Sequence, residues 1–128
     1  MKVLIIDDSA VMRRVVGNAL REAGLMLGEV YEAGNGVEAL EILRLSAAGG
    51  RAPSLILCDI HMPKLDGIGF LRQRAALGLA TAPVLMVTAD ANDPLVAEAI
   101  AAGANGFIAK PFCTEQIREG VRNLVGAL

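Results

Sequence analysis

Leu55-Ile56-Leu57-Cys58-Asp59 is the stretch that decides the fold: four consecutive apolar side chains without polar alternation, closed by an acid. Such a run is too short for a helix and is apolar on both faces, as a strand covered on both sides must be. The pattern recurs outward in both directions. Val3-Leu4-Ile5-Ile6 ends in Asp7-Asp8, and Val84-Leu85-Met86-Val87 ends in Thr88. A more polar second strand is expected over 29–33, and Gly106-Phe107-Ile108-Ala109 is a fifth, ending at Lys110. Helical spacing fills the intervals. Helix one is expected over 9–23, with Val11, Val15, Ala19 and Ala23 on one stripe, helix two over 36–46 and helix three over 67–76. Helix four is expected over 93–102, with Asp93 as cap and Pro94 in the first helical position. Thr114 is expected to cap a last helix in which Ile117, Val121, Leu124, Val125 and Leu128 share a face. Residues 47–53 read as a surface loop. Strands this apolar, alternating with helices, predict an α/β class fold: a doubly wound (βα)5 arrangement around a five-stranded parallel sheet with right-handed crossovers. Strand order 2-1-3-4-5 is expected because it is already known for sheets of this kind.

A chain of 128 residues with 54% hydrophobic content suits a single domain over residues 1–128. Twelve basic against fourteen acidic residues give a net charge of -2, which excludes a broad cationic field for nucleic acid or anionic lipid. The apolar start stops at Asp7, short of a secretory leader, and the longest uncharged stretch, 75–89, contains Pro83 and is too short to span a bilayer. Cys58 and Cys113 form no metal-ligand spacing and read as reduced, small apolar residues, which suits a cytoplasmic protein.

Open parallel sheets place their sites at the carboxyl ends of strands, beside the reversal in strand order. Here that brings Asp7, Asp8 and Asp59 to one rim, flanked by Thr88 and Lys110. Carboxylates 4 Å apart repel by about 1 kcal/mol in water and by about 4 kcal/mol at an effective dielectric near 20. One lysine is too little for three acids, so a hard divalent ion with oxygen ligands is expected, Mg2+ before Mn2+. Carboxylates on a metal, a lysine and a hydroxyl around one acceptor suit phosphoryl transfer, in which a carboxylate can be the nucleophile. Asp59, between the metal position and the Thr88–Lys110 flank, is the best candidate.

Asp7-Asp8, the run from Asp59-Ile60-His61-Met62-Pro63 through Asp66-Gly67, Thr88-Ala89, Lys110-Pro111-Phe112 and the stretch from Glu32 to Leu40 resemble, in that order, the response-regulator receiver family of two-component signalling. The resemblance is to the stand-alone, chemotaxis-type (CheY-like) members, whose fold is flavodoxin-like. It implies that Asp59 accepts a phosphoryl group from a sensor histidine kinase or a histidine phosphotransfer protein. It further implies that Asp8, Asp59 and the backbone carbonyl of His61 bind Mg2+, with Asp7 acting through a metal-bound water. Lys110 would pair with Asp59 and then with a phosphoryl oxygen, its ammonium aimed by a cis Lys110-Pro111 bond. Thr88 would move inward and Phe107 would follow, repacking the face of helix four, strand five and helix five. Phe107 stands where the family often has tyrosine, which keeps the packing half of the switch without a hydroxyl. His61 and Asp90 occupy variable positions that tune the lifetime of the phosphorylated state. The resemblance implies a phosphorylated signalling domain that promotes its own phosphorylation and dephosphorylation, not an enzyme with a separate substrate. A downstream protein would dock on the repacked face, with the chain a monomer or a phosphorylation-dependent dimer.

Two rivals share these features in part. A flavodoxin-like FMN electron carrier has the same fold, but Asp7 and Asp8 would repel a flavin phosphate on the first loop, and Tyr31 alone is a poor stacking set. A receiver cut from a longer regulator is the other alternative; the Met1 start and complete fifth helix favour a stand-alone chain. Gly34-Asn35-Gly36-Val37-Glu38-Ala39 matches a dinucleotide pattern only weakly and reads as a tight turn. Asp66 is expected to shape the turn before Gly67 and cap helix three. Apolar residues on helix four (Leu95, Val96, Ala99, Ile100) exceed what a core needs and suggest a docking face.

Overall fold

The computed structural model describes residues 1–125. Its elements run β1 (Val3–Ile6), α1 (Ala10–Glu22), β2 (Val30–Ala33), α2 (Gly36–Ala48), β3 (Leu55–Asp59), α3 (Gly67–Ala76), β4 (Val84–Thr88), α4 (Leu95–Ala101), β5 (Gly106–Ala109) and α5 (Thr114–Val125). The five strands form one parallel sheet in the order β2-β1-β3-β4-β5. The alternation of side chains along each strand explains the unbroken apolar runs. Leu4, Ile6, Ile56, Cys58 and Met86 face α2 and α3, packing on Leu43, Phe70 and Leu71. Val3, Ile5, Leu55, Leu57 and Val87 face α1 and α5, packing on Val16, Leu20, Ile117 and Val121. Each such side chain fully buried contributes about 1.5–3 kcal/mol, so the two layers hold the strand ends in fixed register.

That register builds the site. Ile6 pairs with Cys58, Asp59 with Val87, and Thr88 with Ala109. Asp7 therefore leaves β1 level with Asp59, and Lys110 leaves β5 one position beyond Thr88.

Several local expectations change. On α1 the buried side is Val16, Gly17 and Leu20, continued by Ala23, whereas Val11 is 71% and Val15 44% exposed. Both sets recur every three or four residues and are offset by about 100° on the helix, so spacing alone does not say which faces inward. Helix two continues to Ala48, two residues past its expected end. Helix four is shorter than expected: Pro94 lies at its cap without a side-chain bond, and Asp93 Oδ1 accepts the Leu95 N–H at 2.9 Å in the preceding turn. Of its apolar residues, Val96 and Ala99 are buried and Leu95 is half-buried, leaving Ile100 facing outward. Thr114 does not cap α5: its hydroxyl donates to Glu22 Oε2 at 3.3 Å, and the Cys113 N–H donates to the Gln116 side chain at 2.8 Å. Leu128 lies outside the described residues. Cys58 is buried, with its thiol pKa pushed up by desolvation, but Cys113 is exposed, so the reading as a small apolar residue holds for the first alone.

The turn after β3 behaves as the sequence indicates. Asp66 Oδ1 accepts the Gly69 N–H at 2.8 Å, capping α3, and Asn35 does the same for Glu38 N–H at 2.9 Å on α2. Gly67 lies so close to β3 that a Cβ there would run into the Asp59 carbonyl oxygen. Gly67→Ala is accordingly expected to lower stability by about 1–3 kcal/mol, the usual range for overpacking, in a urea titration with an unchanged slope.

Candidate functional site

Asp7 is 4% exposed, and its carboxylate is held in place: Oδ1 accepts the Ser9 N–H at 2.9 Å, while the Asp7 carbonyl accepts from Arg13 Nη1 at 2.6 Å. Asp8 is exposed, and Asp59 is intermediate, with Oδ1 accepting the Ile60 N–H at 2.8 Å. One carboxylate oxygen from each of Asp7, Asp8 and Asp59 lies within 4.8 Å of the others. Burial is the main force holding the Asp59 carboxyl above its usual pKa; Lys110 opposes this, and Asp7 and Asp8 add to it.

Lys110 Nζ lies 3.2 Å from Asp7 Oδ2 and 3.8 Å from Asp59 Oδ2. The expected pairing with Asp59 is thus the longer of two, because Asp7 is the more buried acid and takes the hydrogen bond. The Lys110-Pro111 bond is cis.

Thr88 is 1% exposed, and its hydroxyl is occupied within its own loop. It donates to the Asp90 carbonyl at 3.1 Å and accepts the Asp90 N–H at 3.2 Å. Phe107 points outward, 43% exposed.

Asp93 and Arg13, neither read from the sequence as near the site, lie beside it. His61 Nε2 lies 2.7 Å from Asp93 Oδ2, linking the β3–α3 loop to the β4–α4 loop. The hydrogen bond to Asp93 raises the His61 pKa and lowers that of Asp93. Asp90, expected with His61 to tune the phosphorylated state, accepts the Asn92 N–H through Oδ1 at 2.9 Å. Asp93 was legible only as a helix cap, and its second oxygen is what reaches the histidine. Arg13, six residues after Asp7 on the first turn of α1, bonds the Asp7 carbonyl and pairs with Glu32 at 2.9 Å. Its one advance signal is its place at the start of the helix that leaves the rim.

The sheet order, the level acids and the lysine beside them coincide with a match over residues 3–122 to the model of the response regulator receiver domain. The chain belongs to this receiver family. It is 39% identical over 125 residues to the chemotaxis protein CheY of Pseudomonas aeruginosa, covering 97% of this chain and 95% of the relative. A putative response regulator from Chloroflexus aurantiacus superposes with a TM-score of 0.82 at 30% identity, covering 98% of each chain. CheY in a CheX–CheY complex with BeF3 and Mg2+ from Borrelia burgdorferi superposes with a TM-score of 0.81 at 27% identity, covering 96% of this chain and 87% of that one. The protein is therefore a CheY-like receiver domain of two-component signalling. None of the described helices is long and apolar enough to cross a membrane.

Proposed function

We propose that this receiver is a phosphoacceptor switch in which Asp59 takes the phosphoryl group. The observation that carries the reading is the convergence of Asp7, Asp8 and Asp59 within 4.8 Å with a lysine ammonium 3.2 Å from one of them and 3.8 Å from another. The donor set fits a hard divalent cation: all oxygens, with one neighbouring positive charge for three acids. Asp8, Asp59 and the His61 carbonyl would hold Mg2+, or Mn2+ in its place, with Asp7 behind a water. When bound, the ion supplies the charge neutralisation that admits an anionic phosphoryl donor.

The chain's own groups do the rest. A carboxylate oxygen of Asp59 forms the O–P bond as the donor's P–N bond breaks, and the leaving imidazole nitrogen takes a proton from solvent. Asp59 then carries about two negative charges and new acceptor oxygens. Lys110 is already within 3.8 Å and turns from Asp7 toward them. Thr88 gives up its two bonds to Asp90 to donate to the phosphoryl group, and Phe107 moves inward behind it. The donor is a sensor histidine kinase or a histidine phosphotransfer protein. The output surface is α4, β5 and α5, where Ile100 and Phe107 are 42% and 43% exposed and available to a protein target. Kinship with CheY supports a place in chemotaxis, and His61 beside the site supports its role in setting the phosphate lifetime.

The test is intact mass after incubation with acetyl phosphate. One phosphoryl adduct is expected with Mg2+, removed by hydroxylamine and absent when a chelator is present. No adduct, or one indifferent to chelation, overturns the reading.

A further inference from the structure

At the pole opposite the acidic rim, where β4 and β5 begin, an open cavity of about 420 Å3 is bordered by the ends of α3 and α4. Its size falls within the range of small-molecule sites. Arg74, in the last turn of α3, is 4% exposed and is the one charged residue among those lining it. A buried guanidinium stays protonated and costs several kcal/mol unless it is paired. Arg74 makes no ion pair among the described residues. Its one described hydrogen bond runs from Nη1 to the Ala82 carbonyl at 2.8 Å, which uses one of five N–H donors. No side-chain nitrogen sealed from solvent lacks a partner among the described residues, so the nitrogens of Arg74 without a partner keep some contact with solvent, and Arg74 lines the cavity.

The rim adds two neutral donors. Asn105 spends its side-chain oxygen on the Val84 N–H at 2.9 Å, leaving its NH2 to donate, and Thr81 contributes a hydroxyl. The rest of the wall near Arg74 is apolar, with Leu71, Pro83 and Leu124. A fixed cation, neutral donors and an apolar wall, with no acid among the described lining residues, describe a receptor for an oxyanion carried on a short hydrocarbon body. We propose that this cavity binds a small organic carboxylate through Arg74, giving the receiver a second ligand site at the end of the sheet away from Asp59.

The test is a 1H–15N titration of the full chain with acetate, butyrate and inorganic phosphate against sodium chloride at equal ionic strength. Saturable shifts of the Arg74 Nε–H and the Asn105 NH2 are expected, with butyrate binding more tightly than acetate. In Arg74→Met the affinity should fall by about tenfold or more, the value of a charge-assisted hydrogen bond. Because Met keeps the apolar stem and removes the unpaired charge, that variant should melt no lower than the wild type. Ala80→Trp, which keeps Arg74 and fills the cavity from its exposed rim, should also abolish the shifts and decides the matter if Arg74→Met does not fold. Three results overturn the proposal: no saturable shift, an unchanged affinity in either variant, or phosphate preferred with butyrate no better than acetate. A lower melting temperature in Arg74→Met with unaltered butyrate binding marks the arginine as a structural tie to Ala82 only.

Discussion

Asp59→Asn is expected to take up no phosphoryl group and yet to melt above the wild type in magnesium-free buffer. The first half follows from removing the proposed nucleophile. The second follows from the electrostatics of the rim, where burial, Asp7 and Asp8 hold the Asp59 carboxyl above its ordinary pKa despite Lys110. An acid whose folded pKa is raised favours folding when protonated. The contribution of Asp59 to stability is therefore most favourable below the ordinary carboxyl range, falls as pH rises toward the raised folded value, and stays low beyond it. At neutral pH the wild type carries the whole penalty and the amide carries none. A gain of about 1–2 kcal/mol, between the repulsion of one close pair in water and that at an effective dielectric near 20, corresponds to roughly 3–8 °C. Lowering the pH into the carboxyl range should close the gap from the wild-type side, and Mg2+ should close it at neutral pH. A variant that melts lower than the wild type at neutral pH without Mg2+ would contradict a repulsive rim.

Lys110→Met is expected to have the opposite sign. Asp7, with 5% of its side chain exposed, loses the ammonium 3.2 Å away, and Asp59 loses the one at 3.8 Å. Breaking a buried pair from one side costs about 3–5 kcal/mol; Lys110 is itself 19% exposed, which lowers the expected loss to about 2–3 kcal/mol. Calorimetry in chelator should show a melting temperature lower by roughly 8 °C. Millimolar Mg2+ should restore most of the loss, because the ion replaces the missing positive charge among the same acids. Two substitutions a few ångströms apart, of opposite sign and both brought toward the wild type by one ion, separate a charge-governed rim from a packing defect. If Lys110→Met loses stability and Mg2+ returns none of it, the lysine acts through packing and not through charge.

Strands β1, β3 and β4 were legible because burial on both faces leaves no polar residue in the run before its end, and the first polar residue of each marks the rim; β2, with Glu32 exposed, was legible only by its place in the alternation. Asp7, Asp59 and Lys110 were readable in this way, and Thr88 as the last residue of β4. The cis Lys110-Pro111 bond was readable only through resemblance, and the roles proposed for the His61 carbonyl and Phe107 rest on resemblance too, since no spacing rule addresses them. Contacts between loops were not readable. The reach of His61 to Asp93 depends on where two connections fold, and the preference of Lys110 for Asp7 over Asp59 depends on relative burial. The inward face of α1 was misread because Val11–Val15 and Val16–Leu20 carry the same period one position apart. Arg74 gave no signal either, since an arginine near a helix end is ordinarily a solvated, dipole-compensating residue, and only the packed structure shows it enclosed.

On the proposed reading, the double engagement of Thr88 with Asp90 sets a threshold for the switch. The hydroxyl gives up one donated and one accepted bond, and an unprotonated phosphoryl oxygen returns only the donated one, as a charged and therefore stronger acceptor. The exchange is favoured by an acceptor that is anionic and fixed in place, which a group bonded to Asp59 would be.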